Sequence, residues 1–423
     1  MSKMLFADLL IEKDGLIKGP FGGDIKKSLF VPQTKDTFKV YEQGVVLKND
    51  INYGTYYISK VHFESKLKRF EVKKGDLLMT GAGTLGEILT VPENAPKGVI
   101  NQALLRIRLN ESVVSATFFK YYFKYYIKAI ISRINGDSVI PNLPPLPLIR
   151  NTEVDIPDTI YQNKIASVLS ALDSKIELNN RINAELEAMA KTIYDYWFVQ
   201  FDFPFDFAQG KPDKNGKPYK SSGGKMVWNE ELKREIPEGW EVKDLQEIAM
   251  CLMGQSPKGE SYNQDGIGTP LLNGPADYEN GALKGRTYTT EPTRLCQKDD
   301  LVLCIRATIG NLVYSEQEFC LGRGVAAVRA NDKRLSELIY FLLIQEIERF
   351  KVQATGSIIV GITKDDLIES KCLLPKDELI TSFHNLIKPQ FDKIRINIKE
   401  NQKLTELRDW LLPMLMNGQV KVN

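Results

Sequence analysis

"KKGDLLMTGAGTLGEIL" (residues 73–89) aligns without a gap with "QKDDLVLCIRATIGNLV" (residues 297–313) of the same chain. The register places Asp76 over Asp300, and further along it places "ALLRIRLN" over "GVAAVRAN". The stretches "ATFFKYYFKYYIKAI" and "ELIYFLLIQEIERFK" then match as apolar, helix-like segments. Because self-similarity at a nearly constant offset indicates repeated structural units, the sequence predicts a tandem duplication of one module.

The first copy contains the spacing G-x-G-x-x-G at residues 81–86, which is also the fingerprint of a dinucleotide-binding loop. The second copy has isoleucine and alanine in place of the first two glycines. A dinucleotide loop must open a helix, whereas β-branched residues and a proline follow here in "EILTVPENAPKG". The glycines therefore predict a turn between two strands, with Thr84 and Thr308 at its tip.

Other patterns that could indicate an enzyme are incomplete. "NLPPL" (residues 142–146) is similar to the N-P-P-aromatic loop of amino-methyltransferases, but it has an inserted leucine and lacks the aromatic residue. A P-D…E-x-K nuclease pattern at residues 212–233 lies in a Gly/Lys/Ser-rich connector, whereas that chemistry needs acids on adjoining strands. Five cysteines without a C-x-x-C pair and only two histidines predict neither a metal site nor histidine-based catalysis.

The composition is that of a globular protein with unevenly distributed charge. Hydrophobic residues make up 43% of the chain, and no apolar run approaches the roughly 18 residues of a membrane helix. The unpaired cysteines and the lack of a signal peptide favour a cytoplasmic protein. Residues 1–150 hold 22 basic and 14 acidic residues, whereas residues 236–370 hold 14 basic and 20 acidic residues. On charge alone, only the first region is a candidate polyanion binder.

Each copy is followed by a heptad pattern, which starts after Pro157 and again after Pro375. Apolar and asparagine residues recur there at alternating spacings of four and three, which is typical of a coiled-coil seam. Asparagines in such a seam fix its register at a cost in stability. The predicted seam residues are Ile165, Leu169, Leu172, Ile176, Asn183, Leu186, Ile394, Asn401 and Leu404.

Two long helices in one chain most simply pair with each other, although a plain dimerisation coil is the alternative. The predicted fold class is therefore α+β: two similar mixed α/β domains separated by two long helices that pair as an antiparallel coiled coil, in a pseudo-twofold tandem duplication. Strand-like runs include "VVLKNDI" and "LLRIRL" in the first copy. The predicted segments are a first domain (1–150), a first long helix with a connector (151–235), a second domain (236–370) and a second long helix (371–423).

This organisation resembles the specificity subunit of type I restriction-modification systems over nearly the whole chain. The segments that carry the resemblance are "IPEGWEVKDLQEIA" at the start of the second module, "KKGDLLMTGAGTLGEI" and "KDDLVLCIRATIGN" within the modules, and "IASVLSALDSKIELNNRIN" in the first long helix. The resemblance implies two target-recognition domains, each reading one half of a bipartite double-stranded DNA site. The first module begins at "MLFADLL" without a P-E-G-W segment, which leaves its first strand undefined.

The resemblance also implies partners. Two methyltransferase subunits are expected to dock on the chain, restriction subunits are expected to join for cleavage, and no membrane is involved. S-adenosylmethionine, ATP and Mg²⁺ are expected on those subunits, so this chain is expected to be a non-catalytic reader that holds no cofactor. Because enzymes that modify a base must extrude it, a clamp on both flanks would present the intervening duplex to the methyltransferases.

The two copies differ most in the Gly- and Pro-punctuated loops before the repeated segment. These loops are rich in side chains that contact phosphates and base edges, although they are equally typical of variable surface loops. Arg306→Ala is expected to weaken the reading of one half-site only, because Arg306 lies at the predicted turn tip. The candidate DNA-binding residues are Lys18, Lys26, Lys27, Lys73, Thr84, Asn101, Gln102 and Arg133 in the first module, and Gln255, Ser256, Lys258, Asn273, Arg286, Arg306, Thr308 and Arg323 in the second.

Two other functions stay open on the sequence alone. The first is a coiled-coil adaptor that never touches DNA, for which a footprint of the partner-bound complex would be absent. The second is a fused restriction or methylation enzyme, which would transfer a methyl group or cleave DNA without partners.

Overall fold

The structure is a computed structural model, and residues 1, 12, 22, 82, 136–142, 307–308, 355–360 and 423, together with the side chains of residues 13, 128–135 and 352–354, lie outside its description. The chain divides into two compact units, Met1–Ile176 with Lys403–Asn423 and Glu177–Gln402. Each unit therefore holds one copy of the repeat and part of each long helical segment.

Each copy contains the same three sheets in the same strand order, which confirms the tandem duplication. Both five-stranded sheets have one parallel pair of strands, and their other neighbours are antiparallel. In sheet order, the strands of the first copy are Leu16–Lys18, Leu104–Ile107, Leu77–Thr80 and Ile88–Thr90; Phe30–Val31, Tyr57–Ser59, Thr37–Tyr41, Gly98–Ile100 and Glu71–Val72; and Ser2–Leu5 with Glu153–Ile156. Those of the second copy are Ala249–Met253, Val325–Ala330, Leu301–Cys304 and Leu312–Tyr314; Tyr262–Asn263, Thr287–Thr289, Thr269–Leu272, Phe319–Leu321 and Leu295–Cys296; and Glu241–Asp244 with Lys371–Leu374.

The four-stranded sheet forms the middle layer of each module. Successive residues of a strand point to opposite faces, so Leu77 and Met79 pack in one core with Phe119, whereas Leu78 packs in another with Tyr41. One face thus carries a helix and the other carries the five-stranded sheet. This explains why the strand Leu77–Thr80 is apolar at nearly every position and fully buried.

The four longest helices are labelled α1 to α4 in chain order: α1 Ala116–Asn135, α2 Thr159–Tyr194, α3 Ser336–Ala354 and α4 Asp377–Met416. The predicted strand "VVLKNDI" is wrong, because Gln43–Leu47 is a helix that buries Val45 and Val46. The other α-helical segments are Lys60–His62, Leu146–Arg150, Leu245–Ile248 and Lys364–Ile368. The 3-10 segments are Phe6–Leu9, Lys13–Gly15, Lys27–Leu29, Lys68–Phe70, Lys220–Ser222, Gly259–Ser261, Pro275–Asp277 and Lys333–Leu335, and the π-helical turns are Phe63–Leu67 and Asp195–Val199. The remaining short strands are Pro204–Asp206, Lys211–Pro212, Lys217–Pro218, Met226–Asn229, Arg234–Pro237, Tyr278–Glu279 and Ala282–Leu283.

Helices α2 and α4 pair antiparallel, which confirms the predicted coiled coil. In the first unit, Nη1 of Arg408 lies 2.8 Å from Oδ1 of Asp173. In the second unit, Nδ2 of Asn179 donates to Oδ1 of Asn401 over 2.9 Å. Within the second unit Asn183 pairs with Asn397 as Asn179 pairs with Asn401, so residue numbers rise along α2 as they fall along α4 and the two helices are antiparallel.

The predicted seam residues occupy the interior of this pairing to different degrees. Ile165 and Leu169 are fully buried and share a core with Leu415. The other predicted seam residues are half-buried: Leu172, Ile176, Asn183, Leu186, Ile394, Asn401 and Leu404. Among the predicted seam residues, those that join the core of the first module are therefore the most completely buried.

Four asparagines form a polar layer in the second unit. Nδ2 of Asn397 donates to Oδ1 of Asn183 over 2.8 Å, and the pair of Asn179 with Asn401 repeats this bond with the two helices exchanged. Asn179 and Asn397 are almost completely buried. A register shift would leave these amides without partners in an apolar seam, so the layer fixes how the two helices align.

Asn183→Leu is expected to lower the free energy of unfolding by about 1–3 kcal/mol, because the amide of Asn397 would stay buried without an acceptor. Denaturant unfolding monitored by tryptophan fluorescence measures the loss. The double substitution Asn183→Leu/Asn397→Leu is expected to recover most of it, since no unpaired amide remains. Equal stabilities for the single variant and the wild type would contradict the structural role of the layer.

Candidate nucleic-acid interface

The glycine-rich segment forms the predicted hairpin rather than a cofactor loop. Residues Leu77–Met79 pair antiparallel with Ile88–Thr90, and the amide of Gly86 donates to the carbonyl of Thr80 over 3.2 Å. Gly83 and Gly86 adopt positive φ angles of 67° and 87°, which glycine accommodates without strain. Thr84 is exposed in this turn, as the sequence predicts.

The loops of each module meet at one end of its four-stranded sheet. A Cβ atom on Gly19 would lie 1.9 Å from the carbonyl oxygen of Asn101, and a Cβ atom on Gly254 would lie 2.1 Å from that of Gly322. Only glycine permits this approach of two backbones. The two modules therefore bring their loops together by the same contact, although the loop sequences differ.

The loop end of the first module forms an open cavity of about 400 Å³. We call its polar lining the first loop surface, defined by Lys26, Lys27, Glu42, Asn101 and Gln102. Both lysines are exposed, and within the described residues neither forms an ion pair. The surface thus combines two free cations with two amides and one carboxylate.

Glu42 has an unusual environment on this surface. Burial raises the pKa of its carboxyl group, and the nearby ammonium group of Lys39 only partly offsets that effect. Lys39 is itself buried and donates to the carbonyl oxygens of Asn52 over 2.7 Å and Gly54 over 3.3 Å. The carboxylate therefore lies beside a cation that is already engaged with the backbone.

The second loop surface is defined by Gln255, Ser256, Asn273, Arg306 and Arg323. Nε of Arg323 donates to the hydroxyl of Ser256 over 3.2 Å. The backbone amide of Gln255 donates to the backbone carbonyl of Leu321 over 2.8 Å. A Cβ atom on Gly322 would lie 2.3 Å from Oδ1 of Asn273, so that side chain lies against the Gly322–Arg323 backbone. These contacts bring four of the five members together.

Arg306 reaches the same end from the neighbouring strand. The amide of Ile305 donates to the carbonyl of Gly324 over 2.9 Å, directly after the strand Leu301–Cys304 ends. Arg306 follows and is exposed. The residue that the sequence singled out therefore lies beside the loop that carries Arg323.

The remaining candidates are placed less favourably or lie outside the described residues. Lys18 is exposed beside Gly19 at the loop end. Lys73, in contrast, precedes the strand Leu77–Thr80, whereas Thr84 follows it, so the two residues lie at opposite ends of that strand. Nζ of Lys73 lies 3.7 Å from a carboxylate oxygen of Glu71. Lys258 and Arg286 lie 3.7 Å from Glu291 and Glu279, respectively, so acidic neighbours offset their charge. The candidates outside the description are Thr308 and the side chain of Arg133.

Sequence reasoning missed Glu42, which charge counting disfavours in a site for a polyanion. Only the strand pairing shows that Glu42 belongs to the loop surface. The amides of Asn101 and Gly322 donate to the carbonyls of Tyr41 and Leu272 over 3.0 and 2.7 Å, so the residues that follow, Glu42 and Asn273, occupy equivalent positions.

The described residues contain no group of three or more His, Cys, Asp and Glu side chains arranged to hold a metal ion. Among the same residues, no helix has the length and apolar character needed to cross a bilayer.

The sequence matches the profile of the family described as "Type I restriction modification DNA specificity domain" twice, over residues 24–188 and 237–406. The MjaIX specificity subunit of Methanocaldococcus jannaschii is 26% identical over 424 residues, covering 92% of this chain and 90% of the relative. The HindI specificity subunit of Haemophilus influenzae is 24% identical over 402 residues, covering 82% and 87%. The crystal structure of a type I S subunit from M. genitalium shares the fold with a TM-score of 0.55 at 18% identity, covering 98% of this chain and 95% of that one.

Proposed function

We propose that this chain, which belongs to the family of type I restriction-modification DNA specificity subunits, reads a bipartite DNA site with one loop surface in each module. The observation that carries the proposal is the matched placement of polar and basic loop residues at the same end of two equivalent sheets. The two surfaces differ in residue type, as two readers of different half-sites require.

The two modules are expected to bind the DNA backbone with different affinities. The first loop surface carries Lys26 and Lys27, whereas the second module has an excess of acidic residues and pairs Lys258 and Arg286 with glutamates. Phosphate contacts supply most of the sequence-independent affinity. The second module therefore depends on Arg306 and Arg323 for its phosphate contacts, and partner subunits supply the remaining contacts to the DNA backbone.

In this proposal, two methyltransferase subunits and, for cleavage, restriction subunits carry the chemistry in the cytoplasm. S-adenosylmethionine, ATP and Mg²⁺ then belong to those partners, and this chain contributes recognition and assembly. The pairing of α2 with α4, locked by the asparagine layer, supports a role in fixing the distance between the half-sites.

A footprint of DNA with the chain and a cognate methyltransferase subunit tests the proposal. Two protected patches separated by a gap are the expected result, and the chain alone is expected to transfer no label from S-adenosylmethionine. Absence of any footprint would favour a coiled-coil adaptor. Methyl transfer or DNA cleavage by the chain alone would favour a fused enzyme.

Helix α4 offers a docking position for a methyltransferase subunit. Leu407 and Trp410 lie one turn apart on this helix, and 43% and 55% of their surfaces are exposed. Large exposed apolar side chains, and tryptophan above all, mark the energetic centres of protein interfaces.

Leu407→Ala/Trp410→Ala is expected to weaken binding of the methyltransferase subunit at least about 30-fold, since a single interface hot spot is worth about 2 kcal/mol or more. Binding of the two purified proteins measured by calorimetry provides the number. Glu406→Ala, an exposed residue of the same helix, is the control. Unchanged binding by the double variant would place the docking position elsewhere.

A further inference from the structure

We propose that Glu42 is a base-reading residue that selects cytosine at one position of one half-site, and that Asn273 sets a different base preference at the equivalent position of the other. This inference rests on the proposed DNA-reading function and names two side chains that discriminate between bases.

The equivalence follows from the parallel strand pairs of the two modules. Tyr41 pairs with Ile100 in the first, and Leu272 pairs with Leu321 in the second. The strand ends there in each module, and the next residue lies beside the Asn101–Gln102 loop in the first module or the Gly322–Arg323 loop in the second. The same backbone position thus presents a carboxylate in one module and an amide in the other.

The carboxylate of Glu42 has unused capacity to accept hydrogen bonds. It is half-buried and lines the cavity, and among the described residues it has neither a hydrogen-bond partner nor an ion-pair partner within 4 Å. Its pKa is raised because burial penalises the charged form. A half-buried carboxylate without a hydrogen-bond donor gains from a donor that the ligand brings.

The surrounding side chains indicate which part of DNA brings that donor. Lys26 and Lys27 line the same cavity and attract phosphates, whereas a carboxylate repels them. The base edges, in contrast, carry exocyclic amino groups. Glu42 is therefore suited to a base edge that the two lysines bring into range through the backbone.

Among the four bases, cytosine fits this acceptor best. Its N4 amino group is a donor without a neighbouring acceptor in the major groove, whereas adenine presents N7 beside its N6 amino group. Guanine and thymine present O6 or O4 acceptors, which repel a carboxylate. An asparagine side chain carries both a donor and an acceptor, so Asn273 matches adenine instead.

Selection from a randomised duplex library by the complex with the methyltransferase subunit tests the inference. The wild type is expected to require cytosine at one position of one half-site by about tenfold or more, the range of one good base contact. Glu42→Gln nearly preserves shape but adds a donor, so it is expected to lose that preference and to gain adenine at the same position. The other half-site is expected to stay unchanged.

Two further variants complete the design. Asn273→Asp is expected to alter only the other half-site, moving its preference towards cytosine. Glu111→Gln is the matched control, because Glu111 is exposed beyond the opposite end of the strand Leu104–Ile107. Circular dichroism confirms that each variant is folded before selection.

The outcomes separate this inference from the proposed function. A wild-type complex that selects no bipartite site would overturn the proposed function and this inference with it. A wild-type complex that selects such a site, combined with a Glu42→Gln variant that selects the identical one, would overturn this inference alone.

Discussion

Asp300→Ala is expected to lower the free energy of unfolding of the second module by about 3 kcal/mol, the lower end of the range for breaking a buried ion pair from one side, because the side chain of Arg329 is 30% exposed. Asp300 is 2% exposed and accepts from Nε and Nη2 of Arg329, each over 2.7 Å. It also accepts from the backbone amide of Gln297 over 2.7 Å. Without this carboxylate, the guanidinium group of Arg329 and the backbone amide of Gln297 both lose their acceptor.

The duplication makes this prediction testable twice. Asp76 accepts from Nε and Nη2 of Arg108 over 2.6 and 3.0 Å, and from the amide of Lys73 over 2.7 Å. Asp76→Ala is therefore expected to destabilise the first module to a similar extent.

Denaturant unfolding followed by tryptophan fluorescence measures the effect on the second module, since three of the four tryptophans lie in its unit. Asp265→Ala is the control, because Asp265 lies in an exposed turn and substitutions of that kind stay within about 0.5 kcal/mol. If Asp300→Ala unfolds at the wild-type midpoint, the ion pair is not structural.

The double variant Lys26→Ala/Lys27→Ala is expected to weaken DNA binding by the assembled complex about 30-fold near 0.15 M salt. The estimate takes two phosphate contacts, each contributing about 0.9 to the slope of log affinity against log salt. Both lysines are exposed and line the cavity at the loop end of the first module. The slope itself is expected to fall by about 1.8.

Titrations of labelled DNA at several salt concentrations provide both numbers. Lys73→Ala/Lys74→Ala is the matched control, because Lys73 and Lys74 are exposed in the same module but precede the strand Leu77–Thr80, at its other end. Its slope is expected to match that of the wild type. Equal losses for the two double variants would show that general charge, rather than the first loop surface, binds the phosphates, and would support the predicted DNA contact of Lys73.

Several features of the fold could be predicted because they depend on local periodicity and on comparison of the chain with itself. The hairpin around Thr84 follows from the glycines and from their loss in the second copy. The seam through Ile165 and Leu169 follows from spacings of four and three, which bring side chains to one face of a helix. The duplication predicts that both features recur.

The positions of residues relative to the sheets could not be predicted in the same way. "VVLKNDI" has the apolar content of a strand, but Val45 and Val46 pack against the sheet from the helix Gln43–Leu47. Lys73 is a predicted DNA contact in the aligned segment, but the strand that follows places it at the end of the sheet opposite to the loop end. Strand direction, rather than residue type, separates Lys73 from Lys26.

Residue order alone thus specifies the repeated module, its turn and its coiled-coil seam, because each is a pattern among neighbours or between two aligned copies. The loop surfaces arise only on folding, when parallel strands and close glycine contacts gather segments that are distant along the chain. Glu42 shows the difference most clearly: in sequence it is one more acidic residue, and in the folded chain it is a half-buried acceptor beside Lys26 and Lys27. Its environment, and therefore its chemistry, is a property of contacts that sequence spacing does not encode.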